Sequence, residues 1–168
     1  MSSAPETDRL SFLLDVAGRE SRHLLQTTGR LFGRPVTVAW VDGLERDPDL
    51  AERLDAFVAR FGRLQDTIGD KLIPELRRRL LETPGAALDN LNRMEKLGLL
   101  DSVTDWVEAR NLRNLLVHEY VRDPAEFAAA LNRARELVPL LVDTHHALAG
   151  YAAARFGNSR AGHEDAGQ

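Results

Sequence analysis

Apolar residues recur at three- and four-residue steps along nearly the whole chain, and that spacing constrains the fold to helices. Leu10, Leu13, Leu14, Ala17, Leu24, Leu25, Thr28 and Leu31 lie on one stripe. They predict a first helix over residues 7–32, broken by Gly33-Arg34-Pro35. Residues 36–40 alternate weakly, but a lone short strand has no partner elsewhere, so a short helix or an extended connector is expected there. A second long helix is expected from Asp49, taken as its N-cap, with Leu50, Leu54, Phe57, Val58, Phe61, Leu64, Ile68, Leu72 and Leu76 as its seam. Gly69 and Pro74 predict a kink, and Thr83-Pro84-Gly85 an end. A third helix over 86–97 would turn Leu88, Leu91, Met94 and Leu97 inward, with Gly98 as the glycine just past its end. Ser102, with Asp105 three residues on, caps a fourth. Asp123-Pro124 closes that helix and opens a fifth, running to about residue 156 through Phe127, Leu131, Ala134, Leu137, Val138, Leu141 and Leu148, with a bend expected at Pro139. The reading is an all-α, up-and-down helical bundle of four to five main helices. One domain spans 7–156, and the small, polar stretch 157–168 is expected to be a disordered tail.

The length of 168 residues fits one domain, and 43% hydrophobic residues is ordinary for a globule. No run approaches the roughly 20 apolar residues that cross a bilayer. The N-terminus has neither the basic start nor the apolar core of a secretion signal, so no membrane contact and a cytoplasmic location are expected. The chain has no cysteine, which excludes disulfides, thiolate metal sites and a cysteine nucleophile. A net charge of −4 argues against a generally basic nucleic-acid glove, so any such contact must be local. Arg77-Arg78-Arg79, the densest basic spot, reads as a solvated helix face. No glycine-rich phosphate loop is present. His145 and His146 with Asp143 do not make a metal site, since adjacent residues on a helix point about 100° apart. Neither a metal nor a cofactor is expected.

Chemistry concentrates on the fourth helix, in Arg113-Asn114-Leu115-Leu116-Val117-His118-Glu119-Tyr120. Histidine exchanges protons near neutral pH, arginine offers a fixed cationic fork for phosphate, and a phenol accepts transferred groups. Together they point to phosphate chemistry on a nucleic acid. Arg110, Asn114 and His118 share one helix face; Arg113, Val117 and Tyr120 share another. Arg113 and His118 differ by about 140° on an ideal helix, so one regular helix does not aim both at the same phosphate. Either the helix distorts near its end, or two copies meet across a dimer and each phosphate sees both chains. The simplest reaction is metal-free RNA cleavage, because the ribose 2′-hydroxyl is a nucleophile already in place. Asn114 would hold the imidazole or donate to the phosphate, and Arg110 is a further RNA contact. Against this stands the plainer reading that these polar residues are salt-bridge and capping groups, with Tyr120 half-buried in the core.

At these residues the sequence resembles the HepT-like toxins of the HEPN superfamily, whose pattern is Arg-x4-His-x-Tyr. Arg113, Asn114, His118 and Tyr120 carry the likeness. The order of a long helical pair, a motif helix and a long closing helix extends it over most of 8–156. The resemblance implies an all-α bundle that forms a homodimer through its motif helices. It implies a metal-independent ribonuclease with Arg113 and His118 as the catalytic pair and Asn114 in support. It also implies a partner, a nucleotidyltransferase antitoxin of the MNT type, that transfers AMP from ATP to Tyr120 and so silences the toxin. The 32–49 connector is long for a minimal member. The alternative is a non-catalytic helical subunit that helps a nucleotidyltransferase bind its substrate.

Overall fold

The computed structural model describes residues 6–118 and 123–157, with side chains over 9–117 and 123–157. The described residues are helical with no strand: α1 (Glu6–Leu31), α2 (Val38–Asp42), α3 (Pro48–Asp66), α4 (Ile73–Arg79), α5 (Ala87–Lys96), α6 (Val103–His118) and α7 (Pro124–Phe156). The expected all-α bundle is what forms. Side-chain contacts give its directions. Arg60 meets Thr27, Thr67 meets Glu20 and Arg9 meets Glu75, so α1 and α3 run antiparallel. Gly62 lies against Arg113 and Gly69, just past the end of α3, against Trp106, which sets α6 antiparallel to α3. Arg133 reaches Glu108 while Phe127 and Leu116 line one cavity, and His145 lies against Gly18 while Phe156 and Leu10 line another, so α7 is antiparallel to both α6 and α1. The four long helices therefore close a ring with alternating directions. Phe57, Phe61, Trp106, Phe127, Leu131 and Leu141 lie fully buried within it. No helix among the described residues is long and apolar enough to cross a membrane.

Local chemistry explains the ends. Ser102 Oγ accepts from the Asp105 N–H at 3.0 Å, and Asp123 Oδ1 accepts from Ala125 and Glu126, with Pro124 in the first turn. Gly98, at φ +73, ends α5 with the paired bonds Leu99 N–H to Met94 and Gly98 N–H to Glu95. The second helix starts earlier than its sequence suggests. Asp47, not Asp49, is its N-cap, accepting from Leu50 N–H at 3.1 Å, because Pro48 has no N–H and a φ preset for the first turn. The expected kink takes the form of a π-helical stretch over Thr67–Leu72. Pro74 has no N–H for the Asp70 carbonyl, and its ring would crowd that oxygen in regular helix; a wider turn upstream relieves both. Pro139 lies inside α7 without ending it. The connector packs on α7: α2 is capped by Thr37, and Asn132 Nδ2 donates to the Val36 carbonyl at 2.9 Å.

Three further expectations fail. Leu25 and Leu88 are exposed. Leu24 takes the buried position beside Leu25, about 100° away on the helix, while Leu88 lies in the first turn of α5. The arginine run is not a solvated face. The Arg77 side chain is only 14% exposed and bonds Glu82 and Asn90, Arg78 pairs with Glu75, and the Arg79 guanidinium lies 4.7 Å from the Phe156 ring centre. Gly157 caps α7; the remaining tail residues, 158–168, lie outside the described residues.

Two stability predictions follow from this architecture. Leu81 ends α4 in a left-handed conformation, φ +62, with its side chain 95% exposed. Leu81→Gly relieves that strain without losing packing and should raise stability by about 1 kcal/mol in denaturant titration. His145 is buried, with Nε2 donating to the Leu14 carbonyl at 2.9 Å, and burial holds its pKa below the ordinary histidine value. The unfolded chain therefore takes up the proton first, so this contribution is complete above about pH 6.5 and is lost as pH falls through the folded value. Tm should drop more steeply below about pH 6.5 in the parent than in His145→Gln; parallel curves would contradict the assignment.

Candidate functional site

Helix α6 is fixed at its start by the Ser102 cap and by Glu95 Oε2, which accepts from Val103 N–H at 2.7 Å. Trp106, Ala109 and Leu116 are buried on its inner stripe. Arg113 falls on that same stripe at helical spacing, where an apolar residue would ordinarily sit. Its stem instead runs over α3, and its guanidinium forms an ion pair with Asp66. Gly62 makes the route possible: a Cβ there would stand 2.6 Å from Arg113 Nε. One turn earlier, Arg110 pairs with Asp70 at 3.7 Å, and Gly69 faces the Trp106 indole and the Arg110 guanidinium. Gln65 Nε2 donates to the Ala109 carbonyl at 3.2 Å across the same seam. The π stretch begins just after Asp66 and contains Asp70, so the irregular turn carries one of the two carboxylates and adjoins the other.

Arg113 is not sealed in. Its side chain is 34% exposed, at the edge of a cavity of about 450 Å³ between α3, the end of α6 and the start of α7. Leu54, Val58, Leu116, Val117 and Phe127 give that cavity apolar walls, and Asp55 and Arg113 are its charged groups. Its volume is that of small-molecule sites. Asn114 is exposed, and so is Val117, at 57%. On the far side of the π stretch, Glu20 accepts from Thr67 Oγ1 at 3.1 Å; burial raises its pKa more than that bond lowers it.

The structure thus turns both Arg110 and Arg113 toward α3 and its π continuation, each against its own carboxylate, although the sequence assigns them to different helix faces. Three residues apart they differ by only about 60°, and long side chains close that gap. Asn114 points away to solvent. His118 is the last residue of α6 by its backbone, and its side chain lies outside the described residues, as does all of Tyr120. Gly62, Asp66 and Asp70 are missing from any reading of the motif. A glycine inside an otherwise periodic helix was the one available sign. No family model, no curated protein and no solved structure matches this chain.

The contact at Gly62 is directly testable. Gly62→Ala adds about 1 kcal/mol of helix propensity but must displace Arg113. The expected result is little net change in Tm with a shifted Arg113 Nε–Hε resonance in NMR; an unshifted resonance refutes the packing. Asp66→Asn removes a partly exposed ion pair and should cost no more than about 1 kcal/mol.

Proposed function

We propose that the chain is a metal-independent endoribonuclease of the HepT-like toxin class, working as a homodimer on RNA such as tRNA or mRNA. The observation that carries the reading is the position of Arg113: on the inner stripe of α6, yet with its guanidinium at an open cavity rim beside exposed Asn114 and Val117. A structural arginine at a core position has no need of that opening. In the reaction the ribose 2′-oxygen bonds to phosphorus as the bond to the 5′-oxygen breaks. His118 takes the 2′-hydroxyl proton and a proton is returned to the leaving oxygen, leaving a cyclic phosphate and a 5′-hydroxyl. Arg113 balances the charge that builds on the phosphate oxygens, and Asn114 orients the imidazole or the phosphate. Two motif helices facing across a dimer overcome the angular mismatch between Arg113 and His118.

Regulation follows from Tyr120. A nucleotidyltransferase partner of the MNT type would let its phenol oxygen attack the α-phosphorus of ATP, expelling pyrophosphate and leaving AMP on the ring. The added negative charge beside the cleft repels RNA.

One observation favours the second reading, a non-catalytic subunit that presents substrate to a nucleotidyltransferase. Arg113 already holds a carboxylate, as a purely structural arginine does. Incubation of purified, unmodified protein with total tRNA separates the two. On the ribonuclease reading, cleavage falls by about 10²–10⁴ in His118→Ala, the range for loss of a general acid–base, and by a comparable factor in Arg113→Ala. Absence of cleavage by the parent protein supports the subunit. Tyr120→Phe should cut RNA in the presence of the transferase and ATP; silencing of that variant without attached AMP would defeat the regulatory scheme.

A further inference from the structure

The flank of α3 away from Arg113 carries a second groove whose charges the α6 motif does not explain. Between α1 and α3, about 390 Å³ is bounded by Thr27, Arg30, Asp49, Glu52, Arg53 and Arg60. Arg77, Arg93, Arg110, Arg113 and Arg133 each hold a carboxylate, while Arg34, Arg46 and Arg63 stand singly and exposed without one among the described residues. The three arginines of this groove hold none among the described residues, although Asp49 and Glu52 stand in the same walls. Arg60 is set in place by uncharged acceptors, the Thr27 hydroxyl and the His23 carbonyl, the latter at 3.1 Å. Its guanidinium keeps further N–H donors to offer. Arg30 and Arg53 make no hydrogen bond or ion pair with another described residue.

We propose that this groove binds a phosphodiester of a single-stranded nucleic acid. Guanidinium forks match phosphate oxygens in shape and charge. Three arginines against two carboxylates leave one net positive charge, which balances one backbone phosphodiester. A phosphate monoester carries about 1.5–2 negative charges at pH 7 and is compensated less well beside Asp49 and Glu52. Place agrees with charge. The groove and the Arg113 cavity flank the same helix, about 10–12 Å across with its side chains. Ala56 lies in the lining of the groove and Ala59 in that of the cavity, so the two openings are neighbours on α3, with exposed Asp55 between Ala56 and the cavity wall. The strand's identity as RNA rests on the ribonuclease reading; the groove itself does not.

The test reads binding without chemistry. A labelled single-stranded oligodeoxynucleotide of about 12 nucleotides, within the usual site sizes, lacks the 2′-hydroxyl and is not cut by the proposed route. In fluorescence anisotropy, Arg30→Gln/Arg53→Gln should weaken binding about tenfold and lower the slope of log affinity against log salt by about 1.4, two contacts at about 0.7 each. Arg34→Gln/Arg46→Gln, which removes the same charge from exposed sites outside the groove, should leave most of that slope. Equal losses in both double variants, or no binding by the parent protein, would overturn the assignment. So would displacement of the oligonucleotide by inorganic phosphate at constant ionic strength that disappears in Arg30→Gln/Arg53→Gln, because the groove would then be a small-anion site. A protein that binds through Arg30 and Arg53 but cuts no RNA sinks the ribonuclease reading alone. One that cuts RNA and ignores this double substitution sinks the groove alone.

Discussion

The seam between α3 and α6 is the contact on which the rest depends. Two helices approach closely only where one offers small residues, and α3 offers Gly62 opposite Arg113, where a Cβ would stand 2.6 Å from Nε. Trp106, fully buried, sets the depth of α6. The ion pairs of Arg110 and Arg113, together with the bond from Gln65 to the Ala109 carbonyl, set its register along α3. That register decides where the end of α6 emerges, and so where Asn114 and Val117 meet solvent. The π stretch belongs to the same arrangement. It starts between Asp66 and Asp70, two carboxylates that a regular helix would stack one above the other.

The remaining charges close the bundle at its ends. Glu82 accepts from both Arg77 and Arg93, and these bonds, that from Arg93 foremost, hold its carboxyl below the ordinary range. Asn90, buried under the same loop, bonds both the N–H and the carbonyl of Gly85. On the other side Arg133 grips Glu108 through two nitrogens and lowers that carboxyl's pKa, tying α7 to α6. Polar residues spent this way fix loops and neighbours. They stand apart from Arg30, Arg53 and Arg60, which serve no such purpose with a carboxylate.

What could be read from the sequence was local. Ser102, Gly98 and Asp123-Pro124 act through bonds to residues within a few positions, so their roles are written in the order of the chain. Helical spacing identified the buried faces of α3 and α7 for the same reason. The failures share a cause too. Arg77, Arg78 and Arg79 looked like a charged run, but side chains about 100° apart on a helix meet three different environments. Asp66 lies 47 positions from Arg113, and no local rule joins them. Within the candidate site the arginine and asparagine were visible as a motif, whereas the glycine and carboxylates that position the arginine belong to the packing of a different helix.

The Arg113–Asp66 pair bears on how a phosphate would be received, on the ribonuclease proposal. An arginine free in water adopts many rotamers, and fixing it on arrival of a ligand costs conformational entropy. Asp66 has already fixed this one at the rim, so that cost is met in the folding of the chain. A phosphate must then share the guanidinium or displace the carboxylate, whose partial exposure lets water solvate it when released. A deeply buried partner would instead be left as an uncompensated charge, at a cost of several kcal/mol, typically about 3–5. An exposed holding carboxylate over a glycine therefore suits an arginine that is to be positioned and then given up, and an interior carboxylate would suit one that is to stay.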